Sequence, residues 1–378
     1  MPQNALPENE LRVQSGQVIV LRLFDVAYEI DLKRAEELWA QRARGASTRS
    51  RLIGTPLKAV SFGVPPLALE LDPVTLELGG KPVIASASIR LYDFGIATIA
   101  LRLPVQNMTW SEFTRWVNET EQAIGFTAVT EIWNTLLKRS CDLLGDALRR
   151  PTTLPLQEDY LIAVVNGFDE PITAETLQER VDLVPLLSGE DRPLSAGARG
   201  DLLRQSFSYY PDDLAVITWD RAFLYEPQRG TDVADVLEIA NAQLLEMRMY
   251  DELLDDELPR VHDMIEAARL RTNFLAARRY ARLARRLHTL VAEVTELTER
   301  VDNALQVTED VYLARVYGAA IGLFRVPNVS AAVDRKLAII RETYTALHHE
   351  AAEGRAELLE IAVLALIALE VVLSFVRH

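Results

Sequence analysis

Apolar residues are spaced by two or run together in the first part of the chain, and recur every three to four residues in the second. Val18 to Ile30, rich in β-branched and aromatic side chains, predicts a long strand. Asp31 is placed to cap a helix through Leu32, Ala35, Leu38 and Trp39, which share one helical face. From Leu57 to Leu103 short apolar runs predict strands, punctuated by Pro65-Pro66, Asp72-Pro73 and a hairpin-type Gly79-Gly80. Thr109 or Ser111 opens a helix over Phe113, Trp116 and Val117, and a second helix covers Val129 to Leu148 before Pro151. Tyr160 to Val165 reads as a buried strand. Ser208 to Tyr225 reads as a hairpin around Pro211-Asp212-Asp213 that turns Leu214, Val216, Ile217 and Trp219 inward. Strand, helix, several strands, two helices and more strands give an α+β fold, a mixed or antiparallel sheet with helices on one face, over residues 15–230.

Beyond Gly230 the pattern is helical. Val233, Leu237, Ala240, Leu244 and Met247 begin a first series, with Pro259 at its junction with the next helix. Ala276, Tyr280, Leu283, Leu287, Leu290, Val294, Leu297, Val301, Ala304, Thr308 and Val311 keep both heptad phases, and a third series runs from Val329 to Ala351. These series predict an antiparallel helical coiled-coil bundle over residues 231–355, with an ordinary globular helical domain as the alternative. Leu358 to Val376 is a 19-residue apolar stretch with two acids, close to the roughly 20 residues that cross a bilayer. It predicts a C-terminal transmembrane helix over residues 356–376, marked by Leu358, Leu366, Glu370 and Phe375. Glu370 would lie inside the membrane, where a carboxyl costs up to about 3 kcal/mol unless protonated or bonded to a neighbouring helix. The alternative buries this stretch in an oligomeric bundle. The first fourteen residues show no signal-peptide pattern, so a tail-anchored orientation is expected, single-pass in a cell inner membrane with the bulk of the chain cytoplasmic.

Composition narrows the chemistry. The net charge of −15 argues against a DNA partner or a general nucleic-acid binder. Only Lys33, Lys58, Lys81, Lys138 and Lys336 among the 40 basic residues are lysine, an arginine bias that suggests a GC-rich bacterial genome. The single cysteine, Cys141, rules out an internal disulfide and thiolate zinc sites, and its apolar surroundings suit a buried thiol better than a reactive one. All five histidines (His262, His288, His348, His349 and His378) lie beyond residue 260, which removes histidine catalysis from the α+β half. No phosphate-binding loop, dinucleotide fingerprint, HExxH or GxSxG occurs, and no cofactor, metal or catalytic residue is indicated. His349 and Glu353 sit one helical turn apart without a third ligand nearby.

Two further patterns carry expectations. Arg22-Leu-Phe-Asp25 and Arg90-Leu-Tyr-Asp93 echo each other on strands; were these neighbours, Arg and Asp would pair across the sheet, though a charged cleft is the alternative. Arg271, Arg278, Arg282 and Arg285 belong to an arginine-rich stretch between Ile265 and Leu290. It is either a docking surface for RNA, anionic lipid or an acidic partner, or the ion-pair partner of Asp251, Glu252, Asp255, Asp256 and Glu257 on a facing helix.

The segment Trp219-Asp220-Arg221-Ala222-Phe223-Leu224-Tyr225, the three heptad series and the tail Glu357-Leu358-Leu359-Glu360-Ile361 through Leu366-Ile367-Ala368-Leu369-Glu370 resemble the family "required for meiotic nuclear division". The similarity covers Ser208 to His378; that family's serine-rich helix after a buried strand has no counterpart in Tyr160 to Gly200. The resemblance implies a membrane-anchored, self-associating protein without an established catalytic activity, and brings no site residues with it. Together these features point to a scaffold whose α+β half recruits a cytoplasmic partner. A carboxylate-based enzyme in that half and an RNA or ribosome tether through the arginine-rich helix are the competing readings.

Overall fold

A computed structural model of the chain describes residues 10–42, 47–49, 64–269 (apart from 154, 191 and 229–231) and 310–343, with isolated positions between 282 and 295 and at 345, 346 and 363. The chain divides into two compact units, Met1–Glu246 with Arg300–Pro327, and Met247–Glu299 with Asn328–His378.

The first unit is built on a nine-stranded sheet. Strands β1 (Arg12–Asp25), β4 (Leu67–Leu78), β5 (Lys81–Leu91), β6 (Ile96–Thr109), β8 (Gln157–Phe168), β10 (Leu214–Ile217) and β11 (Arg221–Tyr225), with the short β3 (Ser47–Arg49) and β9 (Ser206–Phe207), run in the order β3-β4-β5-β6-β1-β8-β11-β10-β9. Only the β8–β11 pairing is parallel, so the sheet is mixed. The strand expected over residues 18–30 is two pieces: β1 ends at Asp25, and β2 (Ala27–Ile30) joins β7 (Leu148–Pro151) in a separate ribbon.

Local signals account for the joints. Gly79 and Gly80 connect β4 and β5 with φ of 55° and 74°, the doubly positive turn that matches the twist of a hairpin. Asp72-Pro73 does not end a strand. It forms a bulge between Leu71 and Val74, where proline's missing N–H leaves no ladder bond unmade. Helix α1 (Leu32–Arg42) starts where Asp31 Oδ1 accepts from the Arg34 amide at 3.0 Å. Helix α2 (Trp110–Ile124) opens on a capping box, with Thr109 Oγ1 accepting from the Glu112 amide and Glu112 accepting from the Thr109 amide. The helix expected over 129–148 is shorter, α3 (Ile132–Leu144); Pro151 sits in β7 beyond it.

Helices cover both faces of the sheet rather than one. Against the even-numbered face of β1 pack Phe113 and Val117 of α2, Trp133 of α3, Leu177 of α4 (Ala174–Arg180) and Leu186 of α5 (Val184–Ser188), in one core with Val18, Val20 and Phe24; the short α6 (Ala196–Leu202) follows and buries none of its residues. The opposite face meets the first half of α7 (Asp232–Arg269), and Phe324, just beyond α8 (Val311–Leu323), stacks edge-on upon Tyr160 at 5.4 Å. An apolar run such as Tyr160 to Val165 of β8 reads alike whether one or both faces are buried, which is why the sequence leaves the second layer undetermined.

The heptad reading fails for the first half of α7. Val233, Asp235 to Asn241, Ala242 and Leu245 to Met247 are all buried, the mark of a helix enclosed in a core rather than one presenting a narrow seam. Its buried polar residues Asp235, Glu238 and Asn241 break the heptad logic because they answer partners in the sheet and in the helix itself. Pro259 lies inside α7 on its exposed side and does not end it.

In the second unit Tyr250, Leu254, Leu287, Val294, Val333, Leu337 and Ile340 are buried, in keeping with the apolar spacing of three and four. Asp251 and Asp255 are met by Lys336, at 2.6 and 2.7 Å. Among the described residues no single helix is long and apolar enough to cross a membrane; Val311–Leu323 and Val326–Thr343 pass that test only as a bent pair. Leu358, Leu366, Glu370 and Phe375, on which the membrane helix was expected, lie outside the described residues, as do Arg271 and Arg278.

Candidate functional site

The candidate site lies on the α7 side of the sheet, where the cross-strand register of β5 and β6 places three rows of side chains. Arg90 stands opposite Thr98, Ser88 opposite Ala100, and Ser86 opposite Arg102, with Glu70 of β4 flanking Ser88. Residues two apart on a strand share a face and are spaced by about 7 Å, so the two arginine rows stand about 14 Å apart. The small Ser88 and Ala100 between them leave a depression of about 290 Å³. A second cavity of about 540 Å³ shares Ser86 and Arg102 with it and continues past Gln17, Pro104, Gln106 and Asn166.

One end of the depression is closed by a buried network. Arg90 Nη1 donates to Glu238 Oε2 at 2.7 Å and Nη2 to Asp235 Oδ1 at 2.8 Å, while the Tyr92 hydroxyl donates to Glu238 Oε1 at 2.9 Å. Asp235 and Glu238 are three residues apart on α7 and so point the same way. Arg90, near the end of β5, and Tyr92, one residue past it, are two apart and both reach Glu238. Burial works against the Arg90 charge, but the two carboxylates outweigh it and hold its pKa above the ordinary value. Burial raises the Glu238 carboxyl, and the Arg90 guanidinium opposes that rise. Burial also pushes up the Tyr92 phenol, which therefore keeps the proton it donates to Glu238 while accepting from Arg90.

At the other end Arg102 Nη1 donates to Ser88 Oγ at 2.7 Å, leaving further N–H groups of a five-donor guanidinium at the cavity wall. Thr98 Oγ1, on a residue 1% exposed, has no hydrogen-bond partner. An unpaired buried hydroxyl costs about 1–3 kcal/mol, and here it borders a cavity.

The paired Arg-Leu-aromatic-Asp segments do not meet. β6 separates β1 from β5, and Arg22 faces Ile99 where Arg90 faces Thr98, which puts the two arginines on opposite faces. Arg22 is 5% exposed and reaches the Ile124 carbonyl and Gln157 Oε1, both at 3.4 Å, with Phe126 and Trp133 about its guanidinium. Burial lowers its pKa, opposed by Asp159 and Glu121. Asp25 accepts from Thr152 Oγ1 at 3.2 Å, and burial raises its carboxyl to about 6. Arg221 donates to Asn118 Oδ1 at 2.7 Å and to the Leu186 carbonyl at 2.9 Å, closing α2 and α5 onto β11.

Other carboxyls are raised without bordering the groove. Burial, then Asp232 and Asp213, takes Glu226 to about 8; burial, then Asp25 and Asp93, takes Glu246 well above the ordinary range. Burial lifts the Cys141 thiol to about 11, so this half-buried sulfur is protonated and inert at neutral pH. Among the described residues no group of three histidine, cysteine or acidic side chains is arranged to hold a metal. Of the arginines proposed as a docking surface, Arg282 and Arg285 occupy exposed helical positions. Trp219, expected to face inward, is 71% exposed in the β10–β11 turn, because that hairpin turns at Thr218 to Asp220 rather than at Pro211 to Asp213.

Sequence reasoning singled out Arg90 and Tyr92 in one short segment but missed Asp235, Glu238, Thr98 and Arg102. The available signal was the alternation Ser86, Ser88, Arg90 along β5, which put a polar stripe on one strand face.

Residues 15–232 match the family model described as the N-terminal domain of uncharacterized protein MJ0711. The uncharacterized protein MJ0711 of Methanocaldococcus jannaschii is 22% identical over 221 residues, which cover 58% of this chain and 66% of that protein, just under two thirds of its length. No solved structure matches the chain. The matched residues are those of the sheet and include Tyr160 to Gly200, where the serine-rich helix of the "required for meiotic nuclear division" family has no counterpart, and nothing in the comparisons links the chain to that family. The resemblance rested on one strand segment, Trp219 to Tyr225, and on heptads and an apolar tail, features that unrelated helical proteins share.

Proposed function

We propose that this chain, which belongs to the family of the MJ0711 N-terminal domain, is an interaction scaffold: the sheet unit recognises a partner or ligand, and the helical part associates with copies of itself and anchors to a membrane through residues 356–376. The observation that carries the reading is α7. It is one helix of 38 residues, its first half enclosed in the sheet unit and locked there by Arg90, its second half contributing to the helical unit. The buried Arg22 and Arg221 and the largely buried Arg90 each hold elements of the sheet unit together through hydrogen bonds to neighbouring strands, helices or loops, a structural use that favours recognition over turnover. A carboxylate-based enzyme is the competing reading, favoured by the raised Asp25 and Glu226 carboxyls.

The test compares the full chain with a version ending at Arg355, by membrane fractionation with a carbonate wash and then by mass in detergent. Retention of the full chain alone, as an oligomer, supports the anchored scaffold. If both versions stay in the soluble fraction as monomers, anchoring and self-association are both refuted. RNA that co-purifies in low salt and is lost when Arg278, Arg282 and Arg285 become Glu would replace the protein-scaffold reading with an RNA tether.

A further inference from the structure

The depression between the two arginine rows has opposite charges at its two ends. At one end Arg102 contributes a cation with donors to spare, with the Ser86 and Ser88 hydroxyls beside it. At the other end Glu238 has accepted one hydrogen bond on each oxygen, and a carboxylate oxygen can accept a second. Glu70 adds an exposed carboxylate at the β4 rim, and the unpartnered Thr98 Oγ1 belongs to the residue opposite Arg90 on β6. A bare anion placed here would meet Glu238 and Glu70, and a bare cation would meet Arg102 and Arg90. A molecule carrying both charges a few ångströms apart satisfies both ends.

We propose that this depression is a binding site for a small zwitterion, an α-amino acid, with its carboxylate on Arg102 and Ser86 and its ammonium group on Glu238, Glu70 and the Thr98 hydroxyl. The volume of about 290 Å³ lies at the small end of ligand cavities, which run from about 300 Å³ upward, and so suits a compact head group. The adjoining cavity of about 540 Å³, bordered by Pro73, Ile84 and Pro104 together with the amides Gln17, Gln106 and Asn166, takes the side chain and favours an uncharged one that joins a methylene stem to an amide. Every residue involved lies in the first unit, and the inference stands whether or not the chain is membrane-anchored.

Titration calorimetry of the full chain with glycine, L-glutamine, acetate and methylammonium tests the proposal. Both amino acids are expected to give saturable heats, glutamine the larger affinity, and the two single-charge probes to bind at least about tenfold more weakly, a difference of about 1.4 kcal/mol. Arg102→Met and Thr98→Val are each expected to weaken glutamine binding about tenfold or more with the far-ultraviolet dichroism unchanged. Thr98→Val separates ligand contact from structure: removing an unpaired hydroxyl raises the melting temperature of the free protein, and only a ligand contact makes the same change weaken binding. The proposal is overturned if neither amino acid gives a saturable heat at millimolar concentration. It is equally overturned if acetate binds as tightly as glycine, or if Thr98→Val binds glutamine like the unaltered chain.

Discussion

Replacing Arg90 by methionine, which keeps the alkyl reach and removes the charge, strands two carboxylates. The side chains of Arg90, Asp235 and Glu238 are 14%, 11% and 5% exposed, so solvent can screen little of the loss. Removing one partner of a buried pair costs about 3–5 kcal/mol, chiefly the uncompensated charge left behind. Against a typical domain stability of about 5–15 kcal/mol, Arg90→Met should therefore lower the urea midpoint of the sheet unit markedly. The penalty should also depend on pH. Burial already holds the Glu238 carboxyl above its ordinary range, and Arg90 is the main influence restraining that rise. Without the guanidinium the folded-state pKa climbs further. A carboxyl raised in the folded state contributes stability that is fully present below its unfolded pKa and lost as pH rises through the folded one. Arg90→Met should thus be close to the unaltered chain near pH 4 and at its worst near pH 8. Adding Glu238→Met and Asp235→Leu should restore much of the loss, because no buried charge then lacks a partner. A single-variant penalty below about 1 kcal/mol, or one equal at pH 4 and pH 8, would refute the assignment of Arg90 as the clamp on α7.

Glu226→Gln should flatten the fall in stability between about pH 4.5 and 8, since the raised carboxyl costs stability as it ionises in that window; melting temperatures taken across it are the check, and an unchanged slope would exclude Glu226 as the cause. Thr109→Ala removes the α2 capping box and should cost about 1 kcal/mol in urea unfolding, a helix-end effect that Thr109→Ser should largely avoid. Gly95→Ala should prevent folding of the sheet unit, because φ is +98° and a Cβ would lie 1.8 Å from the Ala27 carbonyl oxygen; a folded, soluble variant would show the β5–β6 turn to be misplaced. Trp219→Ala should leave stability within about 0.5 kcal/mol and remove an emission component quenched by iodide, since this ring is exposed.

The parts of this protein legible in its sequence are those set within a few residues. Asp31 and Thr109 start helices because the cap and the amide it satisfies are three residues apart. Gly79 and Gly80 close a hairpin because both positions need positive φ. The α+β class followed from such elements in order. The alternation Ser86, Ser88, Arg90 on β5 marked a polar face, yet it could not say which strand lay beside it or what stood above. Tertiary structure decided that β6 lies between β1 and β5, that Arg22 and Arg90 face apart, and that Arg90 meets acids 145 and 148 residues away. It also decided that the first half of α7 is enclosed on all sides, which its three-and-four spacing did not distinguish from a coiled-coil seam. The reason is physical: a period of 2 or 3.6 assigns a residue to a face of its own element, whereas the neighbour of that face is chosen by packing among elements far apart along the chain.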